Sequence, residues 1–435
     1  MNFFYTTLPW LYSRQTFLIA GTLLLSVSPF LCATFYFGAA LISALNGKQV
    51  ILNRERLAIA SLIAVISVWM ILRKVRPESL LPGTISLSDY VPFFIFFFLL
   101  SLTKFSEVEI ESFCYALIAT IPQQFFLAIG EKYFHWYGKF YFPAGSFPLI
   151  DVYIGPVEPG LQTSASFFNP NILACYGVLC AGVALSLLVT EIDSFRIISK
   201  ATLSLGLRII SIGCCLALCI ILLTWTGSRN GWIAFILAVS MFAWLKRKAW
   251  YVKFGGIALP LLTIIASINI GWLTQVARSF IPEIISSRLP SIYSVFSYED
   301  RGVFYTCAFK LIQEKPILGW GIGQFASECS RRTKEAMSHT HNIFLQLASE
   351  IGLPFTLLIV LLIGYIIVAE SQFLLKIKDS KSRRNSLCVG LFIVTMSTFL
   401  MQFFDLALLM SYRLNFVFWI CLAIPYSLTS KPKLS

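Results

Sequence analysis

Two histidines separated by one residue are the first feature of this sequence that could do chemistry. His339 and His341 precede Asn342, and an apolar helical stripe follows until Gly352 and Pro354 end the short helix. A histidine at a helix N-terminus meets the positive end of the helix dipole, which favours the neutral imidazole that accepts protons near pH 7. His341 is therefore a candidate general base, and an interfacial histidine with ordinary hydrogen bonds is the alternative.

The same two histidines raise the question of a metal site. They lie two positions apart on an extended lead-in, and no acidic cluster lies near them in the sequence to complete a set of ligands. We therefore predict that the protein binds neither a metal nor another cofactor.

Two arginines in polar segments form the second candidate set. Arg229 lies in the turn Ser228–Trp232, between two apolar segments, and Arg301 lies where a helix is predicted to begin. A charge at the membrane edge costs a few kcal/mol unless it is paired or hydrated. Arg229 therefore either binds an anion or extends to the interface as a snorkelling anchor.

A glycine-rich segment follows the second arginine. Gly319, Gly321 and Gly323 permit a tight backbone path on which peptide N–H groups could approach an anionic ligand. The segment lacks the lysine of a phosphate-binding P-loop and no strand precedes it, so the glycines alone are a weak signal.

A carboxylate and an arginine lie near the ends of the last two apolar segments. Asp405 and Arg413 are functional candidates because ionisable groups within a membrane are rarely retained without a use. A structural ion pair between the two is the alternative.

These residues must be positioned by helices in a lipid bilayer. Of the 435 residues, 57% are hydrophobic and 13% are charged, and apolar stretches recur along the whole chain. Only helices or closed barrels satisfy their backbone groups in hydrocarbon, so we predict an all-α, polytopic transmembrane bundle of about twelve spans. The net charge of +13 comes from short basic clusters between apolar segments, which favours positive-inside topology over nucleic-acid binding.

Basic clusters at 246–253 and 376–384 are predicted to be cytoplasmic. Counting from them places residues 273–352 outside, as a large helical extracytoplasmic loop inserted into a single membrane domain of residues 1–435, and places Arg73 outside against the charge rule. Cys307 and Cys329 lie in that loop, where a disulfide can persist. A helical pair is predicted at Phe17–Leu45, and single spans at 57–72, 90–102, 110–130, 172–189, 201–223, 231–245, 254–272, 353–368, 387–404 and 406–428.

Taken together, the motifs resemble the O-antigen ligase and polymerase family of bacterial membrane glycosyltransferases, most closely a cyanobacterial branch once described as bicarbonate transporters. The C-terminal pattern of Asp405, Arg413 and Trp419 matches that branch, whereas Leu406–Ser411 departs from it. The other matching residues are Asn169–Asn171 with Ala174, Ser228–Trp232, Arg301, Gly319–Gly323, His341, Asn342, Leu345, Glu350 and Gly352–Pro354.

The resemblance implies a metal-independent glycosyltransferase of the GT-C-like type in lipopolysaccharide biosynthesis, acting at the periplasmic face of the bacterial inner membrane. It would transfer a glycan from polyprenyl diphosphate to a hydroxyl of a lipid or glycan acceptor. His341 would activate that hydroxyl, while Arg229 and Arg301 would hold the diphosphate. The implied substrate-binding residues are Asn171, Ser228, Asn230, Gly319, Gly321, Gly323, His339, Asn342, Asp405 and Arg413.

Two other functions remain open from the sequence. A glycan polymerase differs only in its acceptor. An anion transporter, such as one for bicarbonate, would be expected to carry polar residues near mid-membrane in interrupted spans, whereas the notable polar residues here cluster at one predicted surface.

Overall fold

The chain is predominantly helical in the computed structural model, which describes residues 13–45, 50–73, 86–144, 147–155, 162–197, 203–246, 302–334, 337–377 and 382–429. The N-terminal helices are α1 (Arg14–Leu23), α2 (Pro29–Leu45), α3 (Arg54–Leu72), α4 (Val91–Ser101), α5 (Glu107–Ala119) and α6 (Ile121–Phe134). The remaining helices are α7 (Pro170–Ile197), α8 (Leu203–Thr226), α9 (Arg229–Lys246), α10 (Gly302–Glu314), α11 (Gln324–Thr333), α12 (Ile343–Ile351), α13 (Leu353–Ile377), α14 (Arg383–Met401) and α15 (Tyr412–Leu428).

Within those ranges, six helical segments are long and apolar enough to cross a membrane: α3, α5 with α6, α7, α8, α13 and α14. Four shorter apolar helices accompany them, at Pro29–Leu45, Leu87–Ser101, Arg229–Leu245 and Tyr412–Leu428. A helical membrane protein is therefore confirmed, while the predicted span at 254–272 lies outside the described residues and the total of about twelve stays a prediction.

Three predicted segments can be compared in detail. Phe17–Leu45 is a helical pair as expected, because α1 ends at Leu23 and Pro29 opens α2. The predicted span 110–130 is two helices, with Pro122 in the first turn of α6. The predicted span 406–428 begins only at Tyr412, because Asp405 accepts a hydrogen bond from the amide of Leu406 and a turn follows.

A β-hairpin is the one departure from the all-α prediction among the described residues. Strands β1 (Gly138–Ala144) and β2 (Phe147–Ile154) pair antiparallel, with Tyr141 opposite Asp151. Their aromatic and β-branched residues have the composition of strands, but the short alternation is easily read as membrane-edge sequence. The amide of Asp151 donates to Val27, which attaches the hairpin to the turn between α1 and α2.

Helices α7 and α14 form the centre of the bundle. Most of the apolar window of each is buried, whereas only about a third or less of the windows of α3, α8 and α13 is buried, so these helices lie at the periphery, where lipid would surround them. Gly182 of α7 meets Val394 of α14, and Gly390 of α14 meets Ser186 of α7, so both helices approach closely where a side chain is missing. These two helices therefore form the rigid support for the residues at their ends.

Different charged contacts mark the two ends of the bundle. At one end Arg383 of α14 bonds the carboxylates of Glu111 and Glu191. At the other end Arg73, which follows α3, donates to the carbonyl of Gly319 at 2.8 Å. Arg73 thus lies at the same end of the bundle as the glycine-rich segment, as the count of spans predicts. Its hydrogen bond to Gly319 gives Arg73 a structural role at that end.

Helices α10, α11 and α12 form a small folded unit with its own apolar core. Cys307, Leu311, Phe325 and Cys329 are buried in it, and a disulfide joins Cys307 to Cys329. The candidate cysteine pair is therefore confirmed. Trp69 at the end of α3 donates to the carbonyl of Ile351, which attaches this unit to the bundle.

Candidate active site

The turn between α14 and α15 gathers the sequence motifs in one place. Three successive backbone carbonyls of this turn accept hydrogen bonds from two other segments: Gln402 accepts from the amide of Ile343, Phe403 from the side chain of Asn342, and Phe404 from the side chain of Asn230. The turn Ser228–Trp232 and the segment that follows His341 therefore meet at residues 402–404.

Asp405 completes this turn and faces His341. Its Oδ1 lies 3.4 Å from Nδ1 of His341, with side-chain exposures of 4% for the aspartate and 26% for the histidine. Burial raises the pKa of Asp405, but the hydrogen bond and charge of His341 and the nearby His339 outweigh it and lower that pKa below its usual value. An ionised Asp405 can orient the ring of His341 and stabilise its protonated form.

The backbone holds His341 in an unusual conformation. Its φ is +56°, in the left-handed region that residues other than glycine rarely adopt. The turn is fixed on both sides, because the hydroxyl of Thr340 donates to the carbonyl of Asn342 and the amide of Thr340 donates to Gln346. Such strain persists only where the surroundings enforce it, and it is often found at functional residues.

Two aromatic rings surround the imidazole of His341. The ring of Phe304, from α10, meets it edge to face with centroids 5.3 Å apart, and the ring of His339 lies at 4.3 Å. Nδ1 of His339 lies 2.7 Å from the hydroxyl of Ser338. The unit of α10, α11 and α12 thus contributes one wall of the site. Arg301, which precedes α10, lies outside the described residues.

Arg229 is the first residue of α9 and is exposed. Ser228 precedes it as the cap, accepting from the amide of Gly231, and Gly231 lets α9 approach Ala174 of α7. A cation in the first turn of a helix opposes the helix dipole, so Arg229 is unfavourable for helix stability there. Together, the guanidinium and the N-terminus make this edge attractive to an anion.

An apolar cavity of about 460 Å³ extends from these polar groups along α9 and α14. Asn230, Ile233, Ala234 and Leu237 line it at helical spacing, so one face of α9 forms a wall. Asn342 and Tyr305 line the cavity on the side of α10 and α12. The cavity is therefore polar where the sequence motifs meet and apolar along the helices.

The glycine-rich segment packs on the end of α12. The amide of Gly321 donates to the carbonyl of Glu350, and that of Gly323 to its carboxylate. A side chain on Gly319 would lie 2.3 Å from the carbonyl oxygen of Glu350, so only glycine permits this approach of two backbones. This geometry gives the glycines a structural use, and their expected contact with substrate stays a prediction.

Glu350 is a buried residue whose role the sequence did not reveal. Burial raises its pKa to about 8, although backbone N–H groups of Gly323 and Phe325 and the amide of Gln346 lower it, and Asp89 raises it. Folding therefore favours the protonated carboxyl, and the stability it contributes is largest below the ordinary pKa near 4.5 and falls as pH rises towards 8.

Replacing Glu350 with glutamine is expected to remove this pH dependence while keeping the hydrogen bonds to the glycine-rich segment. The wild-type melting temperature should decline by several degrees more than that of E350Q between pH 5 and pH 8.5. Thermal unfolding in detergent at a series of pH values measures the difference. Parallel curves for the two proteins would contradict the burial argument.

Other predicted site residues lie around this centre. Asn171 is in the first turn of α7, one turn before Ala174, which packs on Gly231. Asn342 caps α12 by accepting from the amides of Phe344 and Leu345. Its side chain is thus engaged within the protein, so this residue positions the turn whether or not it also contacts substrate.

Arg413 lies away from Asp405. Its guanidinium donates to the carbonyls of Ser166 and Asp151, joining α15 to the hairpin and to the segment before α7. The alternative of an Asp405–Arg413 ion pair is therefore wrong, because Asp405 faces His341. Gln402, which accepts from the amide of Leu408, is a further organiser of the turn that no sequence motif singled out.

Comparison with known proteins adds one match. Residues 214–360 match a family model described as O-antigen ligase, and this stretch includes Arg229, Arg301, the glycine-rich segment and His341. No curated protein matches the chain. Asp405 lies beyond the matched stretch, so its pairing with His341 comes from the fold alone. Residues 214–360 of this helical membrane protein are thus similar to O-antigen ligases, which confirms the family resemblance inferred from the motifs, while the cyanobacterial branch stays a prediction.

Proposed function

We propose that the protein is an O-antigen ligase-like glycosyltransferase that moves a glycan from polyprenyl diphosphate to an acceptor hydroxyl. The observation that carries the proposal is the pairing of His341 with buried Asp405, whose chain neighbours Asn342 and Phe404 line an apolar cavity together with Asn230 at the start of α9. A base, an anion-attracting edge and an apolar slot are the parts that this reaction needs.

In the proposed step, the acceptor oxygen attacks the anomeric carbon of the glycan. The bond from that carbon to the diphosphate oxygen breaks, its electron pair leaves with polyprenyl diphosphate, and the hydroxyl proton moves to His341. Nδ1 of His341 faces Asp405, which leaves Nε2 to accept that proton. Asp405 then stabilises the imidazolium.

The leaving group determines the rest of the site. A diphosphate is already a good leaving group, so its developing charge needs electrostatic stabilisation more than a strong acid. Arg229 supplies a guanidinium at the start of α9, and Arg301 would supply a second one. Planar guanidinium groups match phosphate oxygens and stay charged at any relevant pH.

The cavity suits the lipid part of the donor. Its polar end lies at Asn230 and Asn342, and its apolar end runs along Ala234 and Leu237 between α9 and α14. An amphiphile with a diphosphate head and an isoprenoid tail would place its head beside Arg229 and His341.

The disulfide supports a location for this site. Disulfides persist in the periplasm and are rare in the cytoplasm, and Cys307–Cys329 lies in the unit that carries Phe304 beside His341. We therefore place the reaction at the periplasmic face of the inner membrane, with the Arg383 end of the bundle in the cytoplasm.

The direct test is transfer by the purified protein in lipid vesicles. Labelled glycan on polyprenyl diphosphate should give free polyprenyl diphosphate and a glycosylated acceptor, with activity kept in a chelator. A finished lipid acceptor distinguishes ligation from polymerisation, in which the product is a longer lipid-linked glycan. Bicarbonate uptake without glycan transfer would instead support the transporter, which the family match does not favour.

Filling the cavity is expected to weaken donor binding. Ala234 is buried on the cavity wall, and tryptophan there should raise KM for the donor at least about tenfold, or 1.4 kcal/mol. Ile210→Trp, at a residue of α8 that is 63% exposed, is the matched control and should leave KM unchanged. A folded A234W protein with wild-type kinetics would exclude the cavity as the lipid site.

A further inference from the structure

Three metal-binding side chains meet at His341. One donor atom each from His339, His341 and Asp405 lies within 4.8 Å of the other two. Asp405, 64 residues beyond His341 in the chain, supplies the acidic ligand that the sequence lacks near the histidines. Two imidazoles with one carboxylate form a well-known donor set for Zn²⁺ and other first-row metals.

The spacing of two of these donors fits tetrahedral coordination. Zn²⁺ binds nitrogen and oxygen at about 2.0–2.2 Å, so two ligands at the tetrahedral angle lie about 3.4 Å apart. Nδ1 of His341 and Oδ1 of Asp405 are 3.4 Å apart, which is longer than the usual hydrogen bond of about 2.9 Å. An ion between them would therefore need little movement of either side chain.

The ligands are also held in place before any ion arrives. Asp405 is 3% exposed, and its Oδ2 has no hydrogen-bond partner among the described residues. His341 is fixed by the turn around Thr340, and His339 contacts Ser338. The partial exposure of His341 provides access from outside, and a fourth position remains for water or an acceptor oxygen.

We propose that His339, His341 and Asp405 bind one Zn²⁺ ion, and that the bound ion switches the active site off. Nitrogen donors favour Zn²⁺ over Mg²⁺ and Ca²⁺, which prefer oxygen ligands. A metal on the ring of His341 removes the lone pair or the Asp405 contact that proton transfer needs. The inhibitory consequence rests on the proposed function, whereas the binding site does not, and the site departs from the expectation that the protein binds no metal.

The binding test uses the full-length protein in detergent, with Cys214 and Cys215 changed to serine because Cys214 is exposed and could itself bind zinc. Competition with a zinc-binding dye should show one ion per chain. H339Q, H341N and D405N should each weaken that affinity at least about tenfold. His135 is the third histidine; it contacts Tyr137 and is not one of the three clustered residues. H135N should therefore bind zinc with the affinity of the parent.

Two further measurements test the identity of the zinc ligands and the effect of zinc on activity. X-ray absorption at the zinc edge of the parent protein should show two imidazoles and no sulfur, independent of whether any variant folds. Zinc should inhibit glycan transfer reversibly, with activity restored by chelator. Wild-type affinity in all three variants, or sulfur ligation, would overturn the metal site. Binding at the three residues without inhibition would retain the site and overturn the switch. A parent protein that binds zinc but transfers no glycan even when zinc-free would overturn the proposed function alone.

Discussion

Replacing His341 with asparagine is expected to lower kcat for glycan transfer at least about 100-fold, with little change in KM for the donor. General acid–base catalysis contributes about 10² to 10⁴ in rate, and asparagine cannot take the hydroxyl proton. Asparagine also tolerates the left-handed backbone that His341 adopts at φ +56°. Transfer of labelled glycan by purified protein in vesicles measures both constants.

The chain provides a matched control for this substitution. His135 has φ +55°, ends α6, and contacts Tyr137 rather than the site, so H135N imposes the same change of residue type on the same backbone conformation. H135N should keep wild-type rates, and both variants should melt within a few degrees of the parent. If H341N transferred glycan at the rate of H135N, His341 would not be the base.

Much of the fold follows from local sequence. Apolar stretches predict the helices well where proline or a capping residue marks the start, as Pro29 does for α2 and Asn53 does for α3. The hairpin was missed because its aromatic residues resemble membrane-edge sequence. The turn before Tyr412 was missed because Leu406–Leu409 are buried although they are not helical, and hydropathy reports burial in a bundle and in lipid alike.

The candidate site shows the corresponding limit. Residue type and the family resemblance singled out Arg229, His341 and Asp405, but no pattern along the chain says that Asp405 faces His341 rather than Arg413. That pairing depends on where α14 ends relative to α12, which is a tertiary property. The glycines illustrate the converse, because Gly319 is explained by its approach to Glu350 without any ligand.

The contribution of Asp405 can be separated from that of His341. D405N keeps the size of the side chain and the hydrogen bond from Leu406, but removes the charge that stabilises an imidazolium at His341. We expect kcat to fall about 10² to 10⁴-fold, the range that general acid–base catalysis contributes, because Asp405 acts by supporting the base.

A double-mutant cycle distinguishes a catalytic pair from two independent supports of the fold. If Asp405 acts through His341, the variant carrying both H341N and D405N should be no slower than H341N alone, because residues that act as a unit are not additive. Additive losses would mean that Asp405 supports the turn at 402–405 independently of the histidine. In that case the melting temperature of D405N should fall as well, since Asp405 is buried and bonds the backbone of that turn. A stable D405N protein with non-additive kinetics is therefore the result that the paired geometry predicts.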